Sequence, residues 1–363
     1  MRNPILAAAI IAGLVAPAQA LAQSSVTISG YLKMAAEHLE LGQSAKSPAG
    51  ETRVVDEASR ILFNVVEDLG GGLQAIGQVD LRVTMDSGAL AGSGNNHVGL
   101  RSKDWGTLTL GRWDLHYTLT PSEIAAKAGS YKAQNIALLA FAGGGGTAVA
   151  INSRTANAVR YDSPRWGGFA LTAAYSANAG AAEADIGSGV RKGRAWNFVP
   201  TYTASAWQAG WSHWNSKPDA FAGADERANR LWGYYTWGGF KLGLAMDRSR
   251  LRAGATGATT SERTAWALPL RYSTGRHSFY LEFSKARDDR ATAAQDGARM
   301  FAIAYSHDLS KRTSVGVTYT RVNNDAGGIY NLYNSAAGQG SPSGAVAAGE
   351  DPRIWSLAVR HAF

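Results

Sequence analysis

Cysteine is absent from the 363 residues, so the chain has no disulfides and must stabilise itself by burial or by closure of its backbone ladder. After the first twenty residues no segment approaches about 18 uninterrupted apolar residues, which excludes a transmembrane helix. The mean hydropathy of −0.18 agrees. Catalytic patterns are missing as well. The seven histidines, at 38, 97, 116, 213, 277, 307 and 361, include no pair at helical metal-ligand spacing. His213, between Trp211 and Trp214, reads as an interface residue. Gly143-Gly144-Gly145-Gly146 is followed by Thr147 and lacks the Lys of a phosphate-binding loop. There is no G-x-S-x-G nucleophile elbow, and the adjacent acids Asp288 and Asp289 would face opposite ways in a strand. No enzyme, cofactor or metal is expected. The formal charge is +8, but the basic residues are scattered, with no recognition helix and no basic cluster interleaved with stacking aromatics. Nucleic acid is therefore not an expected partner.

What is present begins with an export signal. Arg2 supplies a charged start, Ile5 to Ala16 a short apolar run, and Ala18-Gln19-Ala20 and Ala20-Leu21-Ala22 two small-x-small cleavage patterns. Residues 1–22 are read as a cleaved signal peptide and 23–363 as one domain. Removing residues 1–22, whose only charge is Arg2, leaves +7. An exported chain without membrane helices enters a membrane as a closed β-barrel or not at all.

The remaining sequence alternates with period two, the code of β-strands. Val26, Ile28, Leu32 and Met34 share one face; Thr27, Ser29, Tyr31 and Lys33 share the other. In the segment 73–83, Leu73, Ala75, Gly77, Val79, Leu81 and Val83 alternate with Gln74, Ile76, Gln78, Asp80 and Arg82. At the end, Trp355, Leu357, Val359 and Phe363 oppose Ser356, Ala358, Arg360 and Ala362. A soluble sandwich would alternate in the same way. The repetition along the whole chain, with short and long connections taking turns, favours a barrel whose apolar face is outside.

The short connections pair aromatics with glycine: Lys103-Asp104-Trp105-Gly106-Thr107, Pro164-Arg165-Trp166-Gly167-Gly168-Phe169 and Thr236-Trp237-Gly238-Gly239-Phe240. Trp105, Trp166, Phe169, Trp237 and Phe240 are candidates for an interfacial aromatic girdle. The long connections, 42–59, 178–193, 253–262 and 335–351, are polar and rich in Gly, Ala and Ser. The longest, from Arg112 to about Asn157, is long enough to be functional. The 363 residues less 22 leave 341, about 21 per strand and connection if there are 16 strands.

Taken in order, several motifs resemble the general porins of Gram-negative outer membranes, in their proteobacterial branch. They are Ser25-Val26-Thr27-Ile28-Ser29-Gly30, Ser59-Arg60-Ile61, Glu67-Asp68-Leu69-Gly70-Gly71-Gly72, Val98-Gly99-Leu100 with Leu110-Gly111-Arg112, Val159-Arg160-Tyr161-Asp162-Ser163-Pro164, Leu309-Ser310-Lys311-Arg312-Thr313 and Arg360-His361-Ala362-Phe363. The resemblance implies an all-β fold: a transmembrane antiparallel barrel of 16 strands, assembled as a homotrimer, whose third extracellular loop folds into the lumen. It implies an outer-membrane channel for passive diffusion of small hydrophilic solutes and ions, surrounded by lipid and lipopolysaccharide. It also implies that the barrel assembly machinery reads Phe363.

Parity then names candidates for the pore wall. Lys33, Arg60, Arg82 and Arg101 would be its basic residues, and Gln78, Asp80 and His97 would share the inward face. The resemblance maps the family's arginine ladder onto Arg60 and Arg82. The loop carries Asp114 and Glu123 but also Lys127, Lys132 and Arg154, with Asp162 just beyond it. That balance departs from the acidic loop of cation-preferring relatives and predicts weak anion preference. The alternatives are a substrate-specific porin for sugar or phosphate, left open by Tyr117 and Tyr131, and, further off, a barrel enzyme or an exported soluble sandwich.

Overall fold

An alternating strand with two unlike faces must cover one of them, and a sheet of such strands loses its unpaired edges only by closing. The computed structural model, which describes residues 24–118, 126–139, 154–179, 194–217, 224–253, 256–333 and 346–363, closes the sheet fully. Sixteen antiparallel strands run round the barrel, each paired with its sequence neighbours. They are β1 (Ser25–Gly42), β2 (Gly50–Asp56 and Arg60–Gly70), β3 (Leu73–Thr84), β4 (Ala89–Ser93 and Asn96–Ser102), β5 (Gly106–Trp113), β6 (Thr155–Asp162), β7 (Phe169–Ser176) and β8 (Arg194–Thr203). The second half comprises β9 (Trp207–Lys217), β10 (Ala224–Trp237), β11 (Phe240–Ala253), β12 (Thr259–Thr274), β13 (His277–Ala286), β14 (Ala298–Asp308), β15 (Thr313–Asn324) and β16 (Asp351–Ala362). Closure is made by β1 against β16, in register from Tyr31 opposite Ala362 to Gly42 opposite Asp351.

Two strands are interrupted, and each break has a local cause. In β2, Ala58 adopts φ 64° and the Glu57 N–H donates to the Lys33 carbonyl at 2.8 Å. In β4, a Cβ on Gly94 would lie 1.7 Å from the Asp80 carboxylate, so only glycine leaves room for that group. Asn95 and Asn96 accept backbone N–H bonds from Asp114 and Asp80 beside the break.

The apolar face is outside. Along β16, Trp355, Leu357 and Val359 are 58%, 62% and 52% exposed, whereas Ser356 and Ala358 are 3% and 1%. The same inversion holds at Leu242, Leu244 and Met246, which are exposed while Ala245 and Asp247 are buried. Trp105, Trp166, Phe169, Trp237 and Phe240 are all exposed around the short turns. Gly167 and Gly238 hold those turns at φ 55° and 53°. No helix among the described residues is long and apolar enough to cross a membrane.

The segment 42–59 departs from the sequence expectation of a loop. Gly50–Asp56 is a strand, paired with β1 from Met34 opposite Asp56 to Glu40 opposite Gly50. Its polar sequence hides it, because its cross-strand support is ionic: Arg53 meets Glu37 at 2.6 Å. The connection after β11 is likewise shorter than expected, since β12 begins at Thr259. Residues 1–22, Glu123 and the glycine run 143–146 lie outside the described residues.

Candidate functional site: a loop inside the barrel

The inner face of a 16-stranded barrel is too wide for its own side chains to fill. Here part of it is covered by the connection between β5 and β6. This segment carries the short helix α1 (Ile136–Leu139), preceded by a single 3₁₀ turn, Tyr131–Ala133. Ile136, Leu138 and Leu139 are buried against Met300, Val322 and Ile354, which belong to the face opposite the exposed apolar one. Each such side chain contributes about 1.5–3 kcal/mol on burial. At Gly316 on β15 a Cβ would stand 2.8 Å from the Ala128 carbonyl, so this glycine lets the segment lie flat on the wall.

Three polar anchors hold the segment. The first is a buried ionic cluster. Lys132 Nζ lies 2.8 Å from Glu57 Oε1 and 2.9 Å from Glu37 Oε2, and Lys33 Nζ lies 3.7 Å from Glu57 Oε2. Glu57 also accepts from the Ser130 hydroxyl and the Tyr131 N–H, both at 2.7 Å. Lys33 donates to the Gly129 carbonyl. Burial alone would lower the Lys132 pKa, but the Glu57 and Glu37 carboxylates outweigh it and raise it. The second anchor is His116, hydrogen-bonded to Ser212 at 2.8 Å and to Asp247 at 3.2 Å, with Arg230 donating to its carbonyl at 3.0 Å. Burial, reinforced by the Arg230 charge, pulls this imidazole below its ordinary pKa. The third is at the root of the loop, where Arg154 Nε meets Asp114 Oδ1 at 3.0 Å.

A second connection joins the first. After β15, Tyr330, Leu332 and Tyr333 turn into the same apolar cluster as α1 and are buried with it. Asn324 clasps Tyr330, accepting from its N–H at 2.9 Å and donating to its carbonyl at 2.8 Å, while Arg263 donates to its hydroxyl. Burial pushes the Tyr333 hydroxyl up to about 12, so it stays neutral. Sequence reading missed this inward turn; the signal available was the run Ile329-Tyr330-Asn331-Leu332-Tyr333 before a polar stretch.

The wall residues named by parity all fall on the inner face, with differing accessibility. Arg60 is half-buried, donates to the Tyr131 hydroxyl at 3.0 Å and covers the Tyr31 ring at 4.8 Å. Arg360 covers the same ring at 4.6 Å, so Tyr31 is flanked by two guanidinium groups. Tyr31 and Tyr131 share a hydroxyl hydrogen bond at 2.5 Å. Arg82 is buried in a bidentate pair with Asp80 at 2.8 and 2.9 Å. Gln78 donates to the Asn95 carbonyl at 2.9 Å. His97 stacks on Trp113 with centroids 4.1 Å apart, and Arg160 covers Trp113 at 4.3 Å. Arg101 lies near the short-turn end, bonded to Gln74 at 3.0 Å. Lys33 and Lys132 are sealed beneath the loop, and Lys127 is exposed but paired with Asp308 at 2.6 Å. Glu57, Arg360, His116 and Tyr330 were not anticipated from sequence: Glu57 sat in an apparent loop, and the other three need a partner distant in sequence to have meaning.

Two connections, one after β5 and one after β15, thus pack on the inner face of the barrel, where Arg60 and Arg360 lie over the Tyr31 ring. Comparison with known proteins identifies the fold and the family. The sequence profile of the Gram-negative porin family matches residues 7–327. An outer membrane porin protein of Bordetella pertussis is 25% identical over 371 residues, spanning 87% of this chain and 92% of that one. An anion-selective porin from Comamonas acidovorans superposes with TM-score 0.76 at 21% identity, over 94% of this chain and all of that one. OmpT, an outer membrane protein of Vibrio cholerae solved in a trimer form, gives 0.66 at 13% identity, over 94% and 99%. Closed barrel, inverted faces and family profile lead to one conclusion: the chain belongs to the Gram-negative porin family and is a multi-pass β-barrel channel of the outer membrane.

Proposed function

We propose that this porin is a homotrimeric, passive diffusion channel for small hydrophilic solutes, with weak preference for anions and no chemical step. The observation that carries the preference is the pair Arg60 and Arg360, both over the ring of Tyr31. Among the described residues neither has a carboxylate within ion-pair distance. Held on an aromatic face, their charge stays uncompensated toward the lumen. The segment 126–139 acts as the constriction, with Asp114, Glu123, Lys127 and Lys132 on the connection that carries it. Residues 1–22 serve as the export signal. Phe363, whose N–H and carbonyl exchange 3.2 Å bonds with Gly30, serves as the assembly signal. Trp105, Trp166, Phe169, Trp237 and Phe240 form the interfacial girdle, in contact with lipid and lipopolysaccharide.

The test is the reversal potential of single channels under a KCl gradient. Chloride preference is expected, falling toward zero in Arg60→Gln/Arg360→Gln. A cation-selective wild type refutes the reading, as does a double variant with unchanged selectivity.

A second reading, a phosphate- or carboxylate-preferring pore, draws on one observation. A recess of about 220 Å³ under the loop is lined by Tyr31, Lys33, Lys127, Tyr131, Gln134 and Arg360, with no acid among its lining residues. Saturable block of chloride current by inorganic phosphate would favour it over a general porin.

A further inference from the structure

The histidines show no metal-ligand spacing along the chain, but the sheet brings two of them together. His277 opens β13 and His307 nears the end of β14, and the register sets them directly opposite each other. Both belong to the outward face, one rung beyond Phe279 and Tyr305 and about 6.8 Å along the strands from that pair. β13 leaves a tight turn at Gly275. Porins place short turns on the periplasmic side, so the pair stands at the periplasmic edge of the apolar belt.

The spacing of the rings is that of two ligands to one ion. Their centres are 4.8 Å apart, with the planes inclined at 46°. A metal–imidazole bond of about 2.0–2.1 Å puts each ring centre about 3.2 Å from the ion, so two rings at about 90–110° have centres about 4.5–5.2 Å apart. His277 is exposed, and its Nδ1 is hydrogen-bonded to the Tyr305 hydroxyl at 2.7 Å. With the proton on Nδ1, the ring donates to Tyr305 and Nε2 carries the free lone pair, as in metal sites whose outer partner fixes the tautomer. His307 is half-buried, and its Nδ1 has no hydrogen-bond partner among the described residues. By contrast His38, His213 and His361 are each bonded to a Thr or Asn side chain. Asp308, next to His307, falls on the inner face and is taken up by Lys127 at 2.6 Å and Ser314 at 2.7 Å.

We propose that His277 and His307 form a binding site for a divalent transition-metal ion, copper(II) most tightly and zinc less so, on the periplasmic edge of the outer wall. Two nitrogens without a carboxylate do not suit calcium or magnesium, which take oxygen ligands. Imidazole suits copper, nickel and zinc, and among first-row ions copper(II) binds such a site most strongly. Water completes the coordination on the open side. The bound ion clamps β13 to β14 through side chains, in addition to the backbone ladder. The site faces away from the lumen and is independent of the permeation pathway, so its failure would leave the channel reading intact.

The experiment titrates copper(II) chloride into tag-free, detergent-purified porin at neutral pH, read by calorimetry and by electron paramagnetic resonance. The wild type should bind one ion per chain, with hyperfine structure from two imidazole nitrogens. His277→Gln and His307→Gln should each bind at least about tenfold more weakly and show no more than one such nitrogen. Tyr305→Phe keeps both ligands but removes the outer partner of His277, and should lose about tenfold in affinity. His361→Gln should bind as the wild type does. Conductance and heat-modifiable gel mobility should be unchanged throughout, which separates loss of a ligand from loss of the fold. A wild-type spectrum with a single imidazole nitrogen overturns the assignment, and so does full affinity in either His277→Gln or His307→Gln. Loss of binding in His361→Gln equal to that in His277→Gln would place the ion elsewhere and equally overturn it.

Discussion

Replacing Glu57 with glutamine tests what holds the constriction in place. The Glu57 carboxylate receives four groups: Lys132 at 2.8 Å, Ser130 and Tyr131 at 2.7 Å, and Lys33 at 3.7 Å. Lys33, Glu37, Glu57 and Lys132 are all at most 3% exposed. Glu57→Gln keeps the shape but leaves Lys33, Lys132 and Arg53 with Glu37 as their one remaining anion in the cluster. Breaking a buried pair by removing one partner costs about 3–5 kcal/mol, since it strands a charge in a poorly solvated site. The barrel ladder does not use this contact, so the cost falls on docking of the segment 126–139. At about 1.4 kcal/mol per power of ten, the undocked population rises by two to four powers of ten. Single-channel recordings should then show larger, noisier conductance, and the polymer size that still enters the pore should increase. Adding Lys132→Met should restore part of the wild-type behaviour, because it removes the stranded cation. A Glu57→Gln channel with wild-type conductance, noise and polymer cut-off refutes the reasoning. The pH dependence has a definite sign. The Lys132 pKa is raised, so its contribution is fully present below the ordinary value of 10.5 and fades only as pH rises through the higher folded value. Between pH 5 and 9 conductance should not change through this group.

Other outcomes follow from the same geometry. Leu332→Ala, at a fully buried position in the apolar cluster with α1, should weaken docking of the second connection by about 2–5 kcal/mol. Its signature is higher conductance with unchanged ion selectivity; a reversal potential that moves with it would contradict a steric role. Glu350 is held down to about 2 by hydrogen bonds from Lys46 and Ser44 and from the Ala347 N–H. A depressed carboxylate stabilises above its ordinary value of 4.5, and the effect is lost as pH falls toward 2. Hydrogen exchange at residues 43–49 should therefore be constant from pH 7 to 5 after correction for intrinsic rates, and rise below about 4. Exchange that rises already at pH 6 would show that Glu350 is not the latch.

Strand code was the most legible part of the sequence, for a physical reason. A strand between lipid and water must alternate, so Leu73 to Val83 and Trp355 to Phe363 carry their faces in their spelling. Turns were legible where backbone conformation demands glycine, as at Gly167 and Gly238. Gly50–Asp56 was illegible because its support is an ion pair across the sheet rather than a hydrophobic period. Parity placed Lys33, Arg60 and Arg82 on the inner face but could not tell an open cation from a spent one. Arg60 lies over an aromatic ring, Arg82 is absorbed by Asp80, and Lys33 lies under the loop. Such distinctions depend on contacts between residues far apart in sequence, such as Glu57 with Lys132 or Arg360 with Tyr31.

The seam between β1 and β16 constrains how the molecule can come into being. Tyr31 pairs with Ala362 and Gly30 with Phe363, so the first strand finds its last partner only when the final residues exist. Until that moment both ends of the sheet are open edges, with the ladder groups of Tyr31 to Gly42 on one and Asp351 to Ala362 on the other unpaired. Local hairpins can form early and cheaply, but the closing contact spans nearly the whole chain and carries the largest loop-closure entropy in the fold. The barrel is therefore all-or-none at its last step. A chain truncated by a single strand would be a sticky, unclosed sheet and not a slightly smaller pore.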